Sequence, residues 1–170
     1  MNSEQPYRDR IADVIRHEIG EDERLLAASR FSMPNYWTMV DEKGNEQNLM
    51  QGLISRVALV VRPAPRSVPG FPLHWSMAVA LTPHRVVFWR VRRGSNHPSA
   101  LLGAVRLPDL REAKLQTVPI PGGRALAVKF VPLHGPVVMV DVVAGFRQDS
   151  EHFVDLLRMQ LGLPPAPLST

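Results

Sequence analysis

From Leu73 onward the chain alternates short runs rich in β-branched and aromatic residues with compact clusters of proline, glycine and polar residues. This alternation restricts the fold more than any other feature of the sequence. Residues 74–81, 86–92, 101–107, 113–118, 126–131 and 137–143 each have the length and composition of a strand. A four-residue turn separates the first two, a spacing that suits a hairpin, and Pro83 falls inside the turn, where its missing N–H costs no ladder bond. "GSNHPS", "PDL", "PIPGGRA" and "PLHGP" supply the later breaks, with Gly122 and Gly123 free to take positive φ. "ERLLAASRF", residues 23–31, adds a candidate first strand. About seven short strands joined mostly by tight turns predict a mainly β, antiparallel barrel or sandwich.

The period changes at both ends. Ile11, Val14, Ile15 and Ile19 recur at helical spacing opposite a face of mixed charge, and Gly20 supplies a stop. A membrane-anchoring helix would carry a predominantly basic polar face, so a helix packed on its own domain is the preferred reading. Phe153, Leu156, Leu157 and Leu161 repeat the spacing near the C-terminus; Asp149 or Ser150 is placed to cap this second helix, and Gly162 followed by Pro164 ends it. Burying its four apolar side chains would contribute roughly 6 to 12 kcal/mol before entropy costs. It is expected to close the open end of the sheet.

Between these regions the signals weaken. Residues 32–73 contain Pro34, the polar run "DEKGNEQN" and the prolines 63, 65, 69 and 72, and read as an insertion of loop and linker. Within it, residues 49–57 have helical spacing while "RVALVVR" has strand composition, and both assignments stay open. The expected organisation is an N-terminal helix over 1–20, one domain over 21–162 carrying the insertion, and a tail over 163–170. There are no cysteines, which excludes disulfides, thiolate metal sites and a cysteine nucleophile, and makes the cytoplasm the default compartment. No charge-free apolar stretch approaches the roughly 18 residues a bilayer span requires, and "MNSEQPYRDR" has no apolar signal core.

Strands in this order, closed by one amphipathic helix, follow the plan of a pleckstrin-homology-type barrel. "ALTPHRVVFW" resembles the A-L-T-x-x-R-hydrophobic hairpin of bacterial PH-like and GRAM-like proteins. "LLGAVRLPDLREAKLQ" resembles their strand leading to an I/V-x-L-x-D-I/L step, and "GFRQDSEHFVDLLRMQL" their closing helix. The resemblance covers roughly residues 21–162. It implies a PH-like fold and an interaction or adaptor role, such barrels also being binders of peptides and proteins. The K-x(n)-K/R-x-R signature of phosphoinositide-binding members is absent: only Arg24 and Arg30 stand near the first strand. The headgroup site is therefore not implied.

Charge is distributed unevenly beneath a net +4. Residues 1–46 carry ten acids and six bases, residues 47–108 eight arginines and no acid, and residues 109–170 six of each. The acid-free middle either pairs with acids elsewhere, for which "GEDE" at 20–23 is a candidate, or leaves a positive patch for an acidic partner or anionic lipid. Arg90, Arg92 and Arg93 at a strand end, with Arg85 in the preceding turn, form the candidate contact surface; Arg85 has the alternative of pairing with a nearby carboxylate. The pair Tyr36 and Trp37 either folds back on the barrel or adds to that surface. On the strand itself, Val87, Trp89 and Val91 share a face expected to be core, and Phe88, Arg90 and Arg92 one expected to meet solvent.

Catalytic patterns are missing. The six histidines form no H-x-H or H-x-x-x-H pair, "HEIGE" lacks the second histidine of a zinc protease, and no nucleophile elbow or phosphate loop appears. The expectation is a non-enzymatic module without cofactor or metal that engages a protein partner. An anionic membrane surface is the alternative. Nucleic acid ranks last, since only Trp75, Phe88 and Trp89 lie in suitable strands to stack on bases.

Overall fold

The computed structural model describes residues 6–20, 23–33, 38–40, 46–48, 70–92, 95–120 and 123–164. Helix α1 covers Tyr7–Ile19. Nine antiparallel strands follow: β1 (Ala27–Ser32), β2 (Thr38–Val40), β3 (Glu46–Asn48), β4 (Ser76–Leu81), β5 (Arg85–Val91), β6 (Pro98–Arg106), β7 (Leu110–Ile120), β8 (Gly123–Pro132) and β9 (Val138–Val142). Helix α2, Arg147–Gln160, closes the order. The fold class is the one expected: mainly β, with seven longer strands, a C-terminal helix and an extra N-terminal one. It is consistent with a PH-like α+β sandwich.

Two chain-sequential meanders, β4-β5-β6 and β7-β8-β9, are joined through β1, which pairs with β4 along its whole length but meets β9 only at Phe31↔Val142 and Ser32↔Asp141. That short pairing is a corner where the sheet turns back on itself. The two halves enclose a core containing Phe31, Met77, Val79, Leu81, Val86, Phe88, Phe130 and Val140, into which α2 inserts Phe153, Val154 and Leu157. Leu156 and Leu161 are only partly buried. Neither Asp149 nor Ser150 caps α2: the N-cap is Phe146, Asp149 accepts from the Tyr7 N–H, and the Ser150 hydroxyl meets that of Ser29 at 2.7 Å. Tertiary partners outcompeted the local cap. Both helices stop at glycines in positive φ, Gly20 at 99° and Gly162 at 71°, which glycine adopts without steric cost.

A second buried layer lies outside the sheet. Tyr7, Ile11, Ile15 and Ile19 of α1 cluster with Ala28 of β1, Ala78 and Ala80 of β4, and Val87, Trp89 and Val91 of β5. Small alanine side chains on the outer face let the helix backbone approach the sheet. Val14, assigned by spacing to the buried stripe, is 49% exposed, and Tyr7 takes its place through a period of four. Strand β5 is consequently buried on both faces. The expected solvent face is not one at Phe88, which is fully buried in the inner core; on that face only Arg90 and, just past the strand, Arg92 are exposed.

The region 32–73 also departs from a simple linker. It contains β2 and β3, with β2 extending the β9 side of β8 at Met39↔Ala125 and Val40↔Arg124. At its end Phe71 enters the inner core, its ring 5.7 Å from that of Phe130 and 6.0 Å from that of Phe88. The open assignments over 49–57 and 56–62 lie outside the described residues. No helix of the described residues is long and apolar enough to cross a membrane.

Candidate interaction surface

The basic candidates separate into two groups with different environments. Arg85 opens β5 and is not free. Its guanidinium grips Glu23 through Nε and Nη2, at 3.0 and 2.7 Å to Oε2, and Nη2 also donates to the Ile19 carbonyl at 3.0 Å. Thr82 adds a hydroxyl bond to Glu23 at 2.5 Å. Burial pushes the Glu23 carboxyl up, but the hydrogen bonds from Arg85 and Thr82 outweigh it and hold the pKa below the ordinary carboxylate value. The pairing ties the end of α1 to the β4–β5 turn. At this end, then, one arginine of the acid-free middle is neutralised by the acid-rich segment, as the alternative for Arg85 anticipated.

Arg90 and Arg92 lie at the other end of β5. Both are exposed, and no ion pair involves either among the described residues. Arg93, Tyr36 and Trp37 lie outside the described residues. The register between β5 and β6 slips at Phe88/Trp89 and again at Arg90/Val91, so the ladder alone does not fix this strand exit. One side-chain and one backbone hydrogen bond hold it. The Arg90 carbonyl accepts from the Ser99 hydroxyl at 2.9 Å, and the Ser95 N–H closes back on the Arg92 carbonyl at 3.1 Å.

Beneath this exit sits Arg30 of β1, only 4% exposed. Its Nη1 donates to the Ser95 carbonyl at 3.0 Å and to Asn96 Oδ1 at 2.6 Å, and its Nη2 to the Ser76 hydroxyl at 2.6 Å. From α1, the Tyr7 hydroxyl donates to the Asn96 carbonyl at 2.6 Å. The Phe146 ring carries the Arg30 guanidinium at 5.6 Å and that of Arg10 at 5.5 Å from its centroid. Burial lowers the Arg30 pKa, with Tyr7 acting in the other direction; burial likewise pushes the Tyr7 hydroxyl far above its ordinary value, against the pull of Arg30 and Arg10. Among the described residues no carboxylate pairs with this buried cation; three acceptors and the Phe146 ring replace most of its hydration, and its Nε is left without a hydrogen bond.

Sequence reasoning placed Arg30 only as a basic residue near the first strand and missed Tyr7 and Asn96. It also missed a shallow cleft of about 550 Å³ at the opposite end, bordered by Pro83, His84, Leu107, Pro108, Leu110 and Leu161. Two separate turns, β4–β5 and β6–β7, and the end of α2 build that cleft, and no local pattern announces such a convergence. Of the aromatics weighed for base stacking, Phe88 and Trp89 are buried and Trp75 is 43% exposed. Among the described residues no three His, Asp or Glu side chains come together as a metal-binding group. Compared with known proteins, the chain matches no family model and no curated sequence.

Proposed function

We propose that this chain is a non-enzymatic, PH-like interaction module that engages an acidic surface of a protein partner through the exit of β5. The observation that carries the reading is the pair Arg90 and Arg92: exposed, without a counter-charge among the described residues, and built on a strand whose remaining side chains are nearly all buried. Exposed cations held in fixed geometry steer an acidic partner and set its orientation more than they stabilise their own fold. The order of two meanders and a closing helix favours the PH-like assignment. A non-enzymatic role is favoured because the polar groups that meet inside the fold, Ser29 with Ser150 and Arg30 with Asn96, are engaged with one another.

The test is the double variant Arg90→Glu, Arg92→Glu. Its melting temperature should stay within a few degrees of wild type, since exposed charges contribute little to stability. Capture of a fluorescent oligo-glutamate peptide should fall sharply, and wild-type capture should weaken as salt rises. Vesicles containing phosphatidylserine form the second arm. Binding confined to vesicles would replace the protein partner with an anionic membrane, and a clear stability loss without a change in capture would remove the surface altogether.

A further inference from the structure

We infer that Tyr7 is a positioning residue of the contact surface: through Asn96, helix α1 holds the Arg92 end of β5 in its binding geometry, so that docking of α1 and capture of an acidic partner are linked. The inference rests on the reading of Arg90 and Arg92 as a contact surface and adds to it the element that controls it.

Three observations converge on Asn96. The β5–β6 ladder slips at Arg90/Val91, which removes the usual source of rigidity just where the strand ends. The closure of Ser95 on Arg92 is then pinned from two directions, by Arg30 at the Ser95 carbonyl (3.0 Å) and Asn96 Oδ1 (2.6 Å) and by Tyr7 at the Asn96 carbonyl (2.6 Å). Arg30 belongs to β1 and cannot leave the sheet. Tyr7 belongs to the first turn of α1, a separate layer whose seat on the sheet is apolar. The Tyr7 ring is itself clamped edge-on against Phe146 at 5.0 Å and under Arg10 at 5.2 Å, while its backbone N–H is held by Asp149 at 3.0 Å. The hydroxyl therefore reaches Asn96 from a fixed ring, and the bond is present only while α1 is seated. Linkage is reciprocal: whatever seats α1 strengthens capture, and a partner that needs this geometry at Arg92 strengthens the seating of α1 by the same factor.

Tyr7→Phe keeps the ring packing and removes only the hydroxyl. Amide exchange at Ser95, Asn96 and His97 should accelerate by about three- to tenfold, the range expected for one part-buried hydrogen bond. Capture of the oligo-glutamate peptide should weaken within the same range, with amide exchange in β8 unchanged. Peptide binding to wild type should in turn slow exchange in α1. The double variant Arg90→Glu, Arg92→Glu should lose capture while the 95–97 amides keep wild-type exchange, which separates positioning from contact. Equal capture by wild type and Tyr7→Phe would overturn the linkage alone. Acceleration of exchange across every strand would overturn it too, by assigning Tyr7 a merely structural role. A wild type that captures no peptide would remove the contact reading and the linkage with it.

Discussion

Replacing Ile15 by alanine tests whether the outer layer is a packed core or a loosely laid helix. Ile15 is fully buried between α1 and the sheet, while its neighbour Val14 is 49% exposed. Removing three carbons from a buried site forfeits about 2.4 kcal/mol of transfer free energy at about 0.8 per methylene. A cavity adds to this, and collapse is the usual relief. Relief is poor here, because the floor is Ala28, Ala78 and Ala80, whose side chains have no rotamer to swing into the gap. The expected loss is therefore about 3 to 4 kcal/mol, within the range of large-to-small core substitutions. Val14→Ala should change stability by no more than about 0.5 kcal/mol. Urea denaturation followed by far-ultraviolet circular dichroism measures both. Tryptophan fluorescence in a Trp37→Phe, Trp75→Phe background adds a local probe, since Trp89 is 1% exposed beneath α1 and its indole N–H donates to Glu18 of that helix. Equal effects of the two substitutions, or a loss below about 1 kcal/mol at Ile15, would refute the seating of α1 and the packing argument built on it.

Leu157→Asp should unfold the domain or leave it without fixed packing, because an unpaired carboxylate would enter the inner core at a fully buried position; a melting curve close to wild type would remove α2 from that core. Glu23→Gln should alter the acid limb of the stability profile. The folded-state pKa of Glu23 is depressed, so its contribution is complete above the unfolded-state value and is lost as pH falls through the folded one. Wild type should lose stability relative to the variant over that window and keep its advantage near neutrality, and parallel pH profiles for the two proteins would contradict the Arg85 pairing.

The strands after Leu73 were legible because turn residues bracket each run, and because β-branched and aromatic side chains suit a pleated, buried surface. What the reading misjudged was the number of buried faces. In "MAVAL" the large residues Met77, Val79 and Leu81 alternate with Ala78 and Ala80, and in "VVFWRV" neither parity is polar until Arg90. A run apolar on both parities signals cover on both faces. The small-residue parity, taken with the isoleucines of the first helix, was the available sign of a helix seated outside the sheet. The period of four that seats Tyr7 and exposes Val14 was visible as well, but a three-four spacing fits both choices until the partner surface is known.

The candidate site was legible only in its charge. Nothing local to "AASRF" marks Arg30 as buried, because Ser76, Ser95 and Asn96 lie 46, 65 and 66 residues away along the chain. Pairing between the acid-free middle and the acidic segment was foreseen as an either-or choice, and the fold resolves the two described ends of β5 differently. At its start Arg85 meets Glu23, 62 residues distant, and closes the link to α1. Across from Arg85 on β6, Arg106 pairs with Asp109 from beyond the acid-free stretch. Arg90 and Arg92, at the far end of the same strand, receive neither kind of partner among the described residues. A charge that the fold neutralises at one end of a seven-residue strand and leaves bare at the other is localised, and only a localised charge can orient a partner. The same asymmetry explains why α1 matters to it: Glu23 and Arg85 fasten the helix at the neutralised end, and Tyr7 brings its other end to Asn96, beside the bare one.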